Sequence, residues 1–270
     1  MTLPPRFGLF NTQERVVTSK LTGQDYQVGV WLPFSYGTTG KTYPTLYMTD
    51  GDFTFGMACG LIPTLIGSGE VPEMLVVGVA YHGIRTWGEQ GALRNRDFLP
   101  AEFQESPTQT RQEQFASFFQ RELFPLIERE YPADPNDRAI FGFSSGGFFA
   151  LHCLFTRPNM FRRILAASCT WPEADELLLE REAAYAREHA TASLSRGTRD
   201  AAKQPPTDLY LAIGELDEEQ LPGFTRLVER LQGRNYPNLR LFTQIFTGEG
   251  HSSGVLAKTF LEGLRTVYLP

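Results

Sequence analysis

Near the middle of the chain, Gly142-Phe143-Ser144-Ser145-Gly146 forms a Gly-x-Ser-x-Gly pattern. The apolar run Ala139-Ile140-Phe141 leads into it, and Gly147-Phe148-Phe149 continues out of it as an apolar, helix-like stretch. Between a strand and a helix, this pattern makes a sharp, strained turn that lifts a serine hydroxyl above the sheet edge. A Cβ at either flanking glycine would clash across such a turn. The first amides of the following helix then face whatever the serine attacks. The chemistry indicated is attack on a carbonyl, with Ser144 as nucleophile. Three constraints in five positions arise readily by chance, so the flanking strand and helix give the pattern its weight.

A serine hydroxyl is a weak nucleophile at neutral pH. It needs a base within reach, and the base needs an orienting acid. The chain has four histidines. His152 lies about two turns down the helix behind Ser144, too far along the axis to reach the hydroxyl, and reads as structural. His189 stands among Glu182, Arg187 and Glu188 and reads as a solvated residue. His82 follows a buried apolar run and is placed to line a pocket. His251 lies in Gly248-Glu249-Gly250-His251-Ser252-Ser253, directly after the last strand. Loops at the carboxyl ends of parallel strands share one sheet edge, so His251 is the expected general base.

The acid should leave the strand between these two. Gly214-Glu215-Leu216-Asp217-Glu218-Glu219 offers four carboxylates there. Asp217, three residues past the glycine, is the expected acid, with Glu218 and Glu215 as alternatives. Carboxylates at a helix start also serve the helix dipole with no catalytic duty. Acyl transfer further needs donors for a developing oxyanion. One is the backbone N–H of Ser145. The other is expected in Asp50-Gly51-Asp52-Phe53, at the Asp52 N–H or, alternatively, at Gly51. The same residues also read as a plain turn with a helix cap.

The elements that must hold these residues alternate. Arg15–Leu21 and Tyr26–Leu32 read as a hairpin around Thr22-Gly23-Gln24-Asp25. Tyr43–Thr49 is a short strand followed by a helix, and Glu73–Tyr81 contains a run typical of a strand buried on both faces. His82–Thr110 reads as irregular. Phe115–Tyr131 has helical spacing, and Arg138–Gly142 is the strand before the serine. Arg163–Ser168, Thr207–Ile213 and Leu239–Phe246 read as further strands. Pro172–Ala190, Glu218–Gly233 and Ser253–Tyr268 read as helices, and Thr191–Pro206 as a polar loop. The expectation is an α/β fold: a mostly parallel central sheet, an antiparallel N-terminal hairpin and helices on both faces. Residues 1–270 read as one domain, with a small cap insertion around 171–206.

Composition narrows the partners. A chain of 270 residues with 41% hydrophobic and 21% charged residues is that of an ordinary globular domain. A net charge of −6 gives no reason to expect nucleic acid or an anionic membrane as a partner. No apolar run approaches the length of a membrane span, and no signal peptide is visible. Cys59, Cys153 and Cys169 lie in apolar contexts and cannot all pair, which favours the cytoplasm. No histidine–carboxylate cluster has ligand spacing, so neither a metal nor another cofactor is expected.

Several segments together resemble the Putative esterase family of α/β-hydrolases, the esterase D-like group. They are Tyr26-Gln27-Val28-Gly29-Val30 running into Trp31-Leu32-Pro33, Tyr43-Pro44-Thr45-Leu46-Tyr47 running into Asp50-Gly51, and Arg96-Asp97-Phe98-Leu99-Pro100. Gly142-Phe143-Ser144-Ser145-Gly146-Gly147, Gly214-Glu215-Leu216-Asp217 and Gly248-Glu249-Gly250-His251-Ser252 complete the set. The resemblance implies the α/β-hydrolase fold and a Ser–His–acid esterase built on Ser144 and His251. Its nearest flavour is the enterobactin and salmochelin siderophore-esterase branch. That branch commonly carries glutamate where Asp217 stands, and some members work with a serine–histidine dyad.

The expected function is therefore hydrolysis of a small-molecule carboxylic ester of siderophore, aryl or short-acyl type. The alternatives are an acyltransferase or thioesterase on the same triad and, from another class, a non-catalytic binding protein that kept the fold. His82, Arg85, Arg96 and Trp171 are candidate substrate contacts, with Arg94 and Trp87 nearby. Arg96-Asp97 also reads as an internal ion pair, and the 171–206 segment as either a lid or a surface decoration.

Overall fold

The strands carry the apolar runs that a covered sheet requires. Leu75–Tyr81, for example, is Leu-Val-Val-Gly-Val-Ala-Tyr and is buried on both faces. The protein is described from a computed structural model, which describes residues 8–103, 111–195 and 206–269. The described strands are β1 (Thr12–Thr18), β2 (Asp25–Trp31), β3 (Tyr43–Met48), β4 (Leu75–Tyr81), β5 (Ala133–Phe143), β6 (Arg163–Ala167), β7 (Thr207–Gly214) and β8 (Leu239–Phe246). They form an eight-stranded sheet in the order β1-β2-β4-β3-β5-β6-β7-β8. The first two pairings, β1 with β2 and β2 with β4, are antiparallel, and the rest are parallel. This is the mostly parallel α/β arrangement with an antiparallel N-terminal hairpin.

Helices cover both faces. On one face, α1 (Gly51–Gly67) and α8 (Ser253–Tyr268) pack through Ala58, Ile62, Leu65, Val255, Phe260 and Leu264. The other face is covered by α2 (Trp87–Phe98), α3 (Gln112–Phe118), α4 (Phe124–Glu130), α5 (Ser145–Thr156), α6 (Pro172–Ser195) and α7 (Leu221–Arg234). Its core is rich in aromatic rings. Phe115 lies 5.0 Å from Phe149 and 5.5 Å from Phe98, centroid to centroid, which ties α3 and α2 to α5. Rings at such separations add about 0.5–1.5 kcal/mol per pair beyond their burial.

The position of α1 follows from two small residues. Gly29 of β2 pairs with Gly78 of β4. A Cβ on either would lie 2.6 Å from the Phe55 side chain. The paired glycines thus make a slot in the sheet for Phe55, and the helix that begins just after Asp50 is fixed over it.

Two expectations are corrected. The stretch His82–Thr110 is not irregular throughout, because Trp87–Phe98 is helical. Thr86 caps it, its Oγ1 accepting from the Glu89 N–H at 3.2 Å, while Glu89 Oε2 accepts from the Arg85 N–H at 2.7 Å. Thr86 and Glu89 have the spacing of a capping box. Gly88, Gly91 and the charged residues masked a start signal that was present. The second correction concerns Phe115–Tyr131, which is not one regular helix. A π-helical turn at Phe119–Leu123 joins α3 to α4. Pro125, the second residue of α4, lacks an N–H and would clash with the carbonyl four residues back in a regular helix.

The 171–206 segment opens with α6, whose Ala174, Leu178 and Tyr185 are buried in the core. The helix runs on to Ser195, so the stretch read as a polar loop from Thr191 is helical at its start, while residues 196–205 and the side chain of His189 lie outside the described residues. No described helix is long and apolar enough to cross a membrane.

Candidate active site

Ser144 stands between the end of β5 and the start of α5 with φ 57° and ψ −127°. Non-glycine residues seldom occupy this region, and holding one there costs about 1–3 kcal/mol. What enforces it is close backbone approach. A Cβ at Gly142 would lie 2.2 Å from the Gly146 carbonyl oxygen, so strand and helix touch main chain to main chain. The Ser144 N–H donates to Ala167 O of β6 at 2.8 Å. Sequence and structure therefore agree on a sharp strand–serine–helix turn at the centre of the sheet.

Ser145 opens α5, and Asp52 is the second residue of α1. Neither N–H is engaged by a backbone acceptor outside its own helix, and the Asp52 N–H faces its own carboxylate, whose pKa burial pushes up. Both lie in the first turn of a helix, where free amides and the dipole favour negative charge. The two helix starts are in contact. A Cβ at Gly146 would meet Thr49 Oγ1 at 2.4 Å and Asp50 Oδ2 at 3.0 Å.

Asp50 itself is buried and has φ 56°. Burial pushes its carboxyl pKa up, and the Arg94 guanidinium beside it pulls the other way. Arg94 Nε donates to Asp50 Oδ1 at 2.6 Å and Nη2 to Oδ2 at 3.1 Å. Nη2 also donates to the Phe143 carbonyl at 3.0 Å.

His251 and Asp217 meet after β8 and β7. Asp217 Oδ2 lies 3.1 Å from His251 Nδ1. The Asp217 side chain is only 5% exposed, and that of His251 is 38% exposed. Glu218 is exposed, and Glu215 accepts from the Gly248 N–H at 3.0 Å. Of the three carboxylates left open by the sequence, Asp217 is therefore the one that bonds the imidazole. Leu216 N–H donates to Glu249 O at 2.7 Å, which interlocks the two loops. The His251 ring lies against Phe143, centroids 4.8 Å apart, which brings it beside the serine turn. No hydrogen bond joins Ser144 to His251, and His251 Nε2 has no hydrogen-bond partner among the described residues.

Gln220 adds a contact that sequence reading missed. Its Oε1 accepts from the Thr170 N–H at 3.1 Å, which orients the amide so that Nε2 lies 3.1 Å from His251 Nδ1. Nδ1 has either one hydrogen or one lone pair, so it cannot satisfy both neighbours. The Asp217 carboxylate can only accept, so the Nδ1–H tautomer serves it and leaves the lone pair on Nε2. Arg94 was named only as a neighbour of the substrate candidates. Nothing local in the sequence signals its link to Asp50, 44 residues away.

The remaining candidates are scattered. His82 and Arg85 line an open groove of about 560 Å³ together with Glu89 and Leu93. That groove shares no lining residue with Ser144, Asp217 or His251. Its link to the site is indirect: Trp87, 76% exposed, lies 6.2 Å from Phe53, the residue after Asp52. Arg96 turns inward, bonding both oxygens of buried Asp97 at 2.7 and 3.0 Å and Gln24 Oε1 at 3.2 Å. The ion-pair reading of Arg96-Asp97 describes this placement. Trp171 packs on Phe148 of α5 at 5.3 Å and on Phe103 at 6.3 Å. His152 is buried, with Nε2 3.1 Å from Glu113, and burial lowers its pKa. Among the described residues no His, Cys, Asp and Glu group could hold a metal ion. Burial pushes the Cys59 and Cys169 thiols up to about 12, which disfavours them as nucleophiles.

Comparison with known proteins gives this geometry its family. Residues 19–233 match the family described as Putative esterase. The ferri-bacillibactin esterase BesA of Bacillus subtilis (strain 168) is 26% identical over 267 residues, covering 92% of this chain and 86% of that protein. Among solved structures, the BES protein from Bacillus cereus superposes with a TM-score of 0.84 at 26% identity, covering 100% of this chain and 99% of that one. The siderophore hydrolase EstB from Aspergillus nidulans shares the fold, with a TM-score of 0.78 at 20% identity over 99% of this chain and 97% of that one. The chain belongs to the Putative esterase family and is a carboxylic-ester hydrolase with the α/β-hydrolase fold.

Proposed function

We propose that the protein hydrolyses its ester through a Ser144–His251–Asp217 triad and an acyl-enzyme intermediate. One observation carries this reading. A strained serine at the end of β5 lies beside an imidazole that is hydrogen-bonded at 3.1 Å to a buried aspartate. Ser144 Oγ attacks the ester carbonyl carbon while His251 Nε2 takes the hydroxyl proton. Asp217 holds Nδ1–H and stabilises the imidazolium. The Ser145 and Asp52 amides receive the oxyanion, each such donor being worth about 3 kcal/mol in the transition state. As the tetrahedral adduct collapses, His251 returns the proton to the departing alkoxide. Water then attacks the acyl-enzyme with His251 as base, releasing the acid and restoring Ser144.

For the substrate we propose a siderophore-type or aryl ester. The names of BesA and EstB support this, and His82 and Arg85 line a groove at the start of α2, the helix that carries Arg94. Trp171, at the foot of α6, fits a wall beside α5. Arg96 fits this role poorly, because its guanidinium is engaged inside the protein. We further propose one domain in which the insertion around 171–206 is a small cap, of which α6 is the described part. Three buried free thiols support a reducing, cytoplasmic setting.

The test is product analysis on a panel of p-nitrophenyl esters of increasing chain length, with a catecholate siderophore ester alongside and an added alcohol or thiol as competing acceptor. The expected result is free acid, with the siderophore ester turned over at the highest kcat/KM. Transfer of the acyl group to the added acceptor would contradict hydrolysis. Preference for short alkyl esters would contradict the substrate class.

A further inference from the structure

We propose that Arg94 is a positioning residue that sets the distance between the two oxyanion donors. The inference rests on the reading above, in which Ser144 is the nucleophile and the Ser145 and Asp52 amides hold the oxyanion. Those amides come from segments far apart in sequence. Nothing covalent fixes their separation, yet an oxyanion hole requires it to be held closely. Arg94 joins the two segments through one planar group. Nε and Nη2 grip the Asp50 carboxylate at 2.6 and 3.1 Å, and Nη2 also grips the Phe143 carbonyl at 3.0 Å. Asp50 lies two residues before Asp52, and Phe143 lies two residues before Ser145. Each anchor therefore sits at the same remove from one donor.

The surroundings restrain the clamp further. Asp50 is buried with φ 56°, and its carbonyl accepts from the Phe53 and Thr54 N–H groups at 3.1 and 3.0 Å. Gln90 Nε2, on the same helix as Arg94, lies 3.5 Å from Asp50 Oδ1. The Arg94 guanidinium stacks over Phe98 at 5.6 Å, and Phe98 lies 5.8 Å from Phe149 of α5. The arginine is thus mounted on a helix that is itself anchored to the helix behind Ser144. An ion pair serving stability alone would need only the carboxylate. The bond to Phe143 O ties the guanidinium to the nucleophile turn as well. Lysine offers a point charge and could replace the first link but not the planar fork that makes both.

The experiment compares Arg94→Lys and Arg94→Gln with the unmodified protein and with Ser144→Ala. Folding is followed by near-ultraviolet circular dichroism and thermal melting. Rates are measured with p-nitrophenyl butyrate and normalised to active sites titrated with a fluorophosphonate. Affinity for phenylboronic acid reports binding of a tetrahedral adduct. A displaced donor is expected to lower kcat by about 10- to 100-fold, since an error near 1 Å has effects of that order. KM should hardly move, and boronate affinity should fall in parallel with kcat. Arg94→Lys should melt close to the unmodified protein yet share the kcat defect. A folded Arg94→Lys with unmodified kcat and boronate affinity overturns the clamp. Failure of both variants to fold also overturns it, by making Arg94 a structural residue. Full activity in Ser144→Ala would instead sink the underlying reading of the site, so the two failures are distinguishable.

Discussion

The serine turn and the histidine loop face the same chemistry but are built differently. The turn is closely packed main chain. Gly142 and Gly146 nearly touch, Ser144 is strained, and the Asp50–Arg94 pair closes over the first helical turn. The histidine loop lies at the sheet margin, where β8 is the edge strand. His251 is 38% exposed there, and the loop is held by side-chain bonds of Glu249 with Ser252 at 2.7 Å and with Lys258 at 2.8 Å and, on its inner side, by main-chain approach to β7, where a Cβ at Gly214 would lie 2.3 Å from Glu249 O. A partly exposed ion pair such as Glu249 with Lys258 contributes roughly 0–1 kcal/mol. Asp217 and Gln220, which meet the imidazole, are drawn inward. The difference matches the work each half performs. In the proposed mechanism the nucleophile and its oxyanion donors must hold their positions, whereas the base carries a proton between two oxygens.

The contrast can first be broken at the acid. Asp217→Asn is expected to reduce kcat by about 10⁴-fold, because the amide no longer demands the Nδ1–H tautomer. Glu218→Gln, at an exposed position, should leave kcat near the unmodified value. Steady-state kinetics on the two variants decide the matter. A large loss in Glu218→Gln with little in Asp217→Asn would reassign the acid. A small loss in both would favour a serine–histidine dyad.

A smaller effect sharpens the comparison through backbone tolerance. Gly142→Ala puts a Cβ 2.2 Å from Gly146 O and should destabilise the fold by about 4 kcal/mol or more. Gly248→Ala, in the histidine loop, meets open space and carries only the penalty of φ 73°, about 1–2 kcal/mol. Urea denaturation monitored by fluorescence measures both. Equal losses at the two glycines would contradict the division into a rigid turn and a tolerant loop.

Much of this architecture is legible from sequence, for local reasons. β4, β6 and β7 declare themselves as apolar runs, and the Ser144 turn declares itself because its constraints lie within five residues. His251 emerges from a short list of histidines and its place after the last strand. What stayed hidden depends on distance in the chain. Spacing past Gly214 favoured Asp217 but left Glu215 and Glu218 open, because burial decides which carboxylate bonds the imidazole. Helix α2 was legible in principle from the Thr86…Glu89 box, but its glycines and arginines outweighed that signal. Two arginines on that helix, Arg94 and Arg96, look alike in sequence. One reaches the serine turn and the other turns inward to Asp97, a difference fixed only when the helix packs through Phe98.

The central claim, that Ser144 is the nucleophile of this esterase, is tested most directly by covalent labelling. The purified protein is treated with a fluorophosphonate probe and digested, and the modified peptide is mapped by mass spectrometry while residual esterase activity is followed. The account predicts one adduct per chain on Ser144, formed in step with loss of activity and absent from His251→Ala. An adduct on another residue, or complete labelling of Ser144 with activity intact, would contradict it.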